Sequence, residues 1–222
     1  MINKIAHTAD WHIRMSTNRH EEYKHVFDNF INDLKITKPD LIVVSGDLFH
    51  DKLNTSNEMY VLAKDIMYKI TQIAPIVLIR GNHDLNIKNR KRLDSVETLV
   101  KICDDTVNNI TYYNKSGFYF YDENIIFVVH DHIDGINPWN EINKKKRSSG
   151  FYSKEIDEQF NNGENFESLE KKGHTFINLF HDPISGSVTD TGEVLDSPRY
   201  RKLGDFKGHI LMLGDIHKYQ EF

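Results

Sequence analysis

The sequence predicts an α/β fold whose chemistry sits at the ends of its strands, on three observations. Apolar, β-prone runs alternate with helical segments from Asn3 to Ile79, the pattern of a parallel sheet with right-handed crossovers. The middle of the chain then changes to short strands joined by tight polar turns. Five segments place metal-binding side chains directly after an apolar run: Asp10-Trp11-His12, Gly46-Asp47-Leu48-Phe49-His50, Gly81-Asn82-His83-Asp84, His181 in Leu-Phe-His-Asp, and Gly214-Asp215-Ile216-His217.

A strand opens the chain at Asn3–Thr8. A helix runs from about Arg19 to Lys35, because Tyr23, Phe27, Phe30, Ile31 and Leu34 recur at helical spacing. Pro39 closes that region, and Leu41–Val44 is a short strand of the buried type. A second helix begins near Thr55, with Thr55 and Glu58 as a capping box and Met59, Leu62, Ala63, Ile66, Met67 and Ile70 as its apolar stripe. Pro75 ends it, and Ile76–Ile79 is the third strand. Ser95–Cys103 reads as a short helix. Ile110–Tyr113, Gly117–Tyr121 and Ile125–Val129 read as successive antiparallel strands. Residues 140–172 are polar and read as loops with a short helix, and Thr175–Phe180 and His209–Leu213 as the last strands.

Composition narrows the class. A chain of 222 residues with 39% hydrophobic and 27% charged residues suits one large domain with a solvated surface. No apolar run approaches the roughly 20 residues of a membrane span, and the first apolar stretch is too short for a signal peptide. The single cysteine, Cys103, excludes an internal disulfide. It suits a reducing compartment: cytoplasm, nucleus, or a host cell for a viral protein. The net charge of −5 is unusual for a nucleic-acid binder. Divalent cations would supply positive charge where a phosphate must sit.

The motifs differ in weight. Asp10-x-His12 lets a carboxylate and an imidazole reach one cation, but such a triplet arises often by chance. Gly46 permits a sharp turn that presents Asp47 at the sheet edge, and a carboxylate can bridge two cations. Gly81-Asn82-His83-Asp84 is more specific, because a turn that needs only shape does not require this quartet. Asn82 offers a neutral carbonyl oxygen, His83 can face a substrate, and Asp84 can orient the His83 imidazole and favour its protonated form. A polar turn is the preferred reading of His130-Asp131-His132, over a metal site. Together the five segments suit a pair of divalent cations that activate water against phosphorus.

The order D-x-H, G-D, G-N-H-D, histidine and a final x-H motif resembles the calcineurin-like metallophosphoesterase superfamily, from Asp10 to His217. Gly46-Asp47-Leu48-Phe49-His50 is similar to the SbcD-type DNA repair nucleases within it. The phosphatase signature G-D-x-V-D-R-G is missing. The resemblance implies a four-layer α-β-β-α sandwich with a dinuclear site at the strand ends. It implies Asp10, His12 and His217 on one cation, Asn82, His181 and Asp215 on the other, and Asp47 bridging them. His83 would act on the leaving 3′ oxygen, with His50 facing the phosphate and Asp84 supporting. Two Mn²⁺ are the implied ions.

The superfamily's last motif usually reads G-H-x-H. Asp215 at the first histidine position adds a carboxylate and makes the site harder. The resemblance further implies DNA as substrate, an SMC-like ATPase subunit as partner, and a homodimer. Residues 1–222 would be the nuclease domain, without the capping and ATPase-binding regions that come after it in that family. Lys88, Arg90, Lys91 and Arg92, beyond the Gly-Asn-His-Asp turn, are candidates for DNA phosphate contact, and Lys144–Arg147 is a second basic cluster. Two other readings stay open: a phosphodiesterase or phosphatase on nucleotides or phosphoproteins, and a catalytically silent subunit that binds DNA or an ATPase.

Overall fold

Two parallel or mostly parallel four-stranded sheets organise the computed structural model. It describes residues 2–216 apart from 53, 87, 90, 104–108 and 143–149. The chain divides into two units, one of Asn3–Tyr113 and one that holds Asn114 onward.

In the first unit, β1 (Ile5–Thr8), β2 (Leu41–Ser45), β3 (Ile76–Ile79) and β4 (Ile110–Tyr113) pair in that order, all parallel. Parallel strands need covered faces, and β2 and β3 are buried at every position, as their unbroken apolar runs require. Helix α1 (His20–Thr37) buries Phe27, Ile31 and Leu34. Lys38, in the left-handed region at φ 47°, ends it by donating its N–H to the Leu34 carbonyl. Helix α2 (Asn57–Thr71) buries Met59, Leu62, Ala63, Ile66, Met67 and Ile70, the stripe expected of it. Its cap is Ser56, whose hydroxyl accepts from Met59 N at 3.2 Å, in place of the expected Thr55. Helix α3 (Ser95–Cys103) crosses to β4. Ile110–Tyr113 therefore belongs to the parallel sheet, and the antiparallel expectation fails there: a helix precedes β4, and a helical crossover delivers a parallel strand.

In the second unit, β5 (Gly117–Phe120) and β6 (Ile125–His130) form an antiparallel hairpin. β7 (Thr175–His181) and β8 (Ile210–Gly214) extend the sheet in parallel. The described residues of the 140–172 region are more helical than its polarity suggests. It carries α4 (Pro138–Glu141), α5 (Lys154–Asn161) and α6 (Phe166–Lys171). Asn137 and Asn165 accept backbone N–H groups at two of these N-termini. Phe118, Trp139, Phe151, Tyr152, Ile156 and Leu169 make the core beneath. Gly117 is fixed by packing, because a Cβ there would overlap the Phe151 carbonyl.

Candidate metal centre

β1 and β2 run on side by side past their ends. Asp10 N donates to Gly46 O at 3.0 Å, His12 N to Asp47 O at 3.0 Å, Ile13 N to Leu48 O at 2.9 Å and His50 N to Ile13 O at 3.1 Å. This ladder holds a backbone that L-residues avoid. Asp10, His12 and Asp47 have φ of 57°, 46° and 52°. Non-glycine residues cluster in the left-handed region where surroundings over-determine them, often at functional sites.

The turn brings together donors expected from the first three motifs. His12 Nε2 lies 3.8 Å from Asp10 Oδ1 and 3.8 Å from Asp47 Oδ2. Ligand atoms of Asp10, His12 and Asp47 all lie within 4.8 Å of one another, and those of His12, His50 and His83 do likewise. Two carboxylates and an imidazole at this spacing fit a hard-to-borderline divalent cation.

The Gly-Asn-His-Asp turn locks onto this cluster. His83 N donates to Asp47 Oδ1 at 2.7 Å, leaving Oδ2 of that nearly buried carboxylate toward His12. His83 Nδ1 lies 2.5 Å from the His50 carbonyl oxygen. A carbonyl only accepts, so Nδ1 carries the hydrogen and Nε2 is the other reactive atom. The His50 and His83 rings stack at 5.6 Å. Burial, with Arg14 next in effect, lowers the His50 pKa, and its Nδ1 is buried without a hydrogen-bond partner.

Asp84, expected to orient His83, has a structural role. It is 1% exposed, and its carboxylate accepts three backbone N–H groups: Leu48 at 3.3 Å, Phe49 at 3.0 Å and Gly81 at 2.9 Å. It is a latch between the Gly-Asp and Gly-Asn-His-Asp turns. Sequence reasoning missed this role, since two of the three partners are main-chain groups 35 and 36 residues away. Behind the latch, Asp94 accepts from Arg80, Tyr112 and Glu97 N, and so ties α3 to the turn. Burial, then the Asp94 charge, raises the Tyr112 pKa well above the ordinary phenol range.

The second unit carries its own pair. His181 ends β7 opposite Gly214 of β8, and its Nε2 lies 3.9 Å from Asp215 Oδ1. His181 is buried, and Asp215 has φ 76°. His130 departs from the expected polar turn: it is the last residue of β6, fully buried, with burial taking its pKa down to about 3. Asn82 lies in the Gly-Asn-His-Asp turn, partly buried. Lys88, Lys91 and Arg92 are exposed just beyond it. His217, Arg90 and Lys144–Arg147 lie outside the described residues.

Carboxylate and imidazole groups gathered at the strand ends of a parallel α/β sheet suit a divalent-cation site. The profile of the calcineurin-like phosphoesterases matches residues 3–219, and the chain belongs to that family, whose members bind divalent metals. It is 34% identical over 227 residues to an uncharacterized protein of Acanthamoeba polyphaga mimivirus, a match covering 99% of this chain and 15% of that protein. It is 34% identical over 85 residues to a subunit of the nuclease SbcCD of Staphylococcus saprophyticus, covering 36% of this chain and 23% of that protein. The chain thus matches less than a quarter of the length of either relative. The crystal structure of Pseudomonas putida nuclease MPE matches 86% of this chain and 67% of its own at 14% identity, with a TM-score of 0.39. A likeness that distant carries no argument about substrate.

Proposed function

We propose that this chain is a metal-dependent DNA nuclease that hydrolyses phosphodiester bonds in repair or recombination. The observation that carries the reading is the convergence of Asp10, His12 and Asp47, with His50 and His83 beside them. The His50 position in Gly-Asp-Leu-Phe-His and the partial likeness to a nuclease subunit favour a nucleic-acid substrate over a phosphoprotein.

In this reading Asp10, His12, Asp47, Asn82, His181, Asp215 and His217 would hold two divalent cations, with Mn²⁺ suited to a set rich in carboxylates. Bound cations supply charge for the phosphoryl oxygens and lower the pKa of water. The remaining work falls to the chain. His83, its Nδ1 hydrogen fixed on the His50 carbonyl, presents Nε2 to the leaving 3′ oxygen and donates a proton there when imidazolium. His50 faces a nonbridging oxygen. Asp84 is a positioning residue, since it holds both turns at once. Lys88, Arg90, Lys91 and Arg92 contact backbone phosphates. An SMC-like ATPase partner and a second copy of the chain belong to the same proposal, supported by the family resemblance.

The test is digestion of a labelled linear duplex and of a single strand with Mn²⁺, Mg²⁺ or EDTA, beside His83→Ala. Mn²⁺-dependent cleavage that His83→Ala abolishes supports the reading. Hydrolysis of an aryl phosphodiester without DNA cleavage moves the substrate elsewhere. Inactivity on both favours a silent binding subunit.

A further inference from the structure

Beside the end of β7 a cleft of about 310 Å³ is lined by Asp131, His132, Phe180, Asp182, Arg199 and Arg201, among others. Phe180 and Asp182 flank His181, a proposed cation ligand. The cleft lies wholly within the second unit.

Arg201 is held there with unusual thoroughness. Its guanidinium lies over the Phe180 ring, 4.8 Å from the centroid. One terminal nitrogen donates to His130 Nδ1 at 2.5 Å and the other to the Ile136 carbonyl at 2.9 Å. Its own carbonyl accepts from Ser185 N at 2.7 Å. His130 accepts at Nδ1, so its hydrogen sits on Nε2 and is donated to Asn178 Oδ1 at 3.0 Å. The same oxygen accepts from Trp139 Nε1 at 2.8 Å. The Asn178 amide nitrogen donates to the Lys207 and Ile210 carbonyls. His130, Asn178 and Trp139 are all buried. A chain of buried polar groups thus fixes one guanidinium.

That guanidinium has no ion-pair partner among the described residues, and neither has Arg199. The Asp182 carboxylate is engaged instead by His132 Nδ1 at 2.5 Å. Burial lowers the Arg201 pKa against the more distant pull of Asp182, Asp134 and Asp205. Taking a cation out of water without a paired anion is costly. A guanidinium has five N–H groups in a planar fork suited to phosphate, and only part of that fork is used here.

We propose that this cleft binds a phosphate of the nucleic-acid backbone adjacent to the scissile one, with Arg201 as the fixed fork and Arg199 as the outer cation. The identity of the anion rests on the nuclease reading. A chain with consecutive phosphates would engage both the cleft and the cations, whereas a small phosphodiester would engage only the cations. Arg201 is in this view a positioning residue for extended substrates.

The test is fluorescence anisotropy of a labelled oligothymidylate in EDTA at several salt concentrations, so that hydrolysis and cation loading play no part. Arg201→Gln and the exposed Arg199→Gln are compared with Lys154→Gln, an equal charge change on the exposed start of α5. Arg199→Gln guards against misfolding, since an exposed side chain can be changed without disturbing the core. The expected result is weakening by about tenfold for Arg201→Gln. The salt slope falls by about one for each arginine changed, and Lys154→Gln has a much smaller effect. Equal losses at all three positions, no loss at either arginine, or no binding by the parent chain at low salt would overturn the proposal. Cleavage with Mn²⁺ is run in parallel. Arginine-dependent binding without cleavage keeps the cleft and removes the nuclease reading, and cleavage with arginine-independent binding does the reverse.

Discussion

Asp84→Ala separates a structural role from a catalytic one. The Asp84 carboxylate is the acceptor for the amides of Leu48, Phe49 and Gly81, in a site 1% exposed to solvent. Truncation strands three buried donors, each costing about 1–3 kcal/mol when nothing replaces the acceptor. The Leu48 bond is long at 3.3 Å, and water entering the vacated space would recover part of the loss. A net destabilisation of about 3–5 kcal/mol results, at the upper end for single substitutions. For a chain of this size each kcal/mol lowers Tm by about 2–4 °C, so a fall of about 10 °C is expected. Thermal unfolding by circular dichroism measures it, with a urea titration beside it. Asp84→Asn keeps one oxygen and should fall between Asp84→Ala and the parent. The latch is refuted if Asp84→Ala melts within about 2 °C of the parent yet loses hydrolysis. Asp84 would then act on His83, as the sequence alone suggested.

Other outcomes are expected. His83→Ala should lower kcat by about 10²–10⁴ while bound Mn²⁺, counted by elemental analysis, stays at the parent level; a joint loss of metal would make His83 a ligand. Asp47→Asn, which weakens a ligand of the first cluster, should lower the Mn²⁺ content itself, and unchanged stoichiometry in dialysed protein would contradict the assignment. Stability should fall as the pH drops from about 6.5 toward 4. Burial lowers the His7 pKa to about 4 and the His130 pKa to about 3, so the unfolded chain takes up protons that the folded chain refuses. Each histidine contributes a slope of about 1.4 kcal/mol per pH unit, and His7→Gln should flatten the profile measured by urea unfolding. Gly117→Ala should sharply reduce soluble yield and Tm, because its Cβ meets the Phe151 backbone; a parent-like melting curve would show that the strand can shift.

The first half of the chain was legible because its signals are local. The stripe of α2 and the runs of β2 and β3 each bury what their spacing implies. The Asp-x-His, Gly-Asp and Gly-Asn-His-Asp segments meet because parallel strands set their ends at one edge. What escaped the sequence depends on distant partners. The sheet membership of β4 depends on which strand it pairs with, and three short helices owe their burial to aromatic side chains scattered from Phe118 to Phe166. His130 reads as part of a polar turn, and only Asn178 and Arg201, distant in sequence, make a buried neutral imidazole acceptable.

Four of the six non-glycine residues with positive φ among those described are Asp10, His12, Asp47 and Asp215. Such backbone costs on the order of 1–3 kcal/mol per residue, and glycine would relieve it at each position. Folding and chemistry therefore select in opposite directions at these sites. A library screened only for heat resistance should enrich Asp10→Gly and Asp215→Gly over Asp47→Gly, whose carboxylate is kept by the His83 amide, yielding sturdier and inert proteins. Breeding a robust version of this chain would require the screen to demand turnover at every round, because stability is gained at the residues proposed as cation ligands.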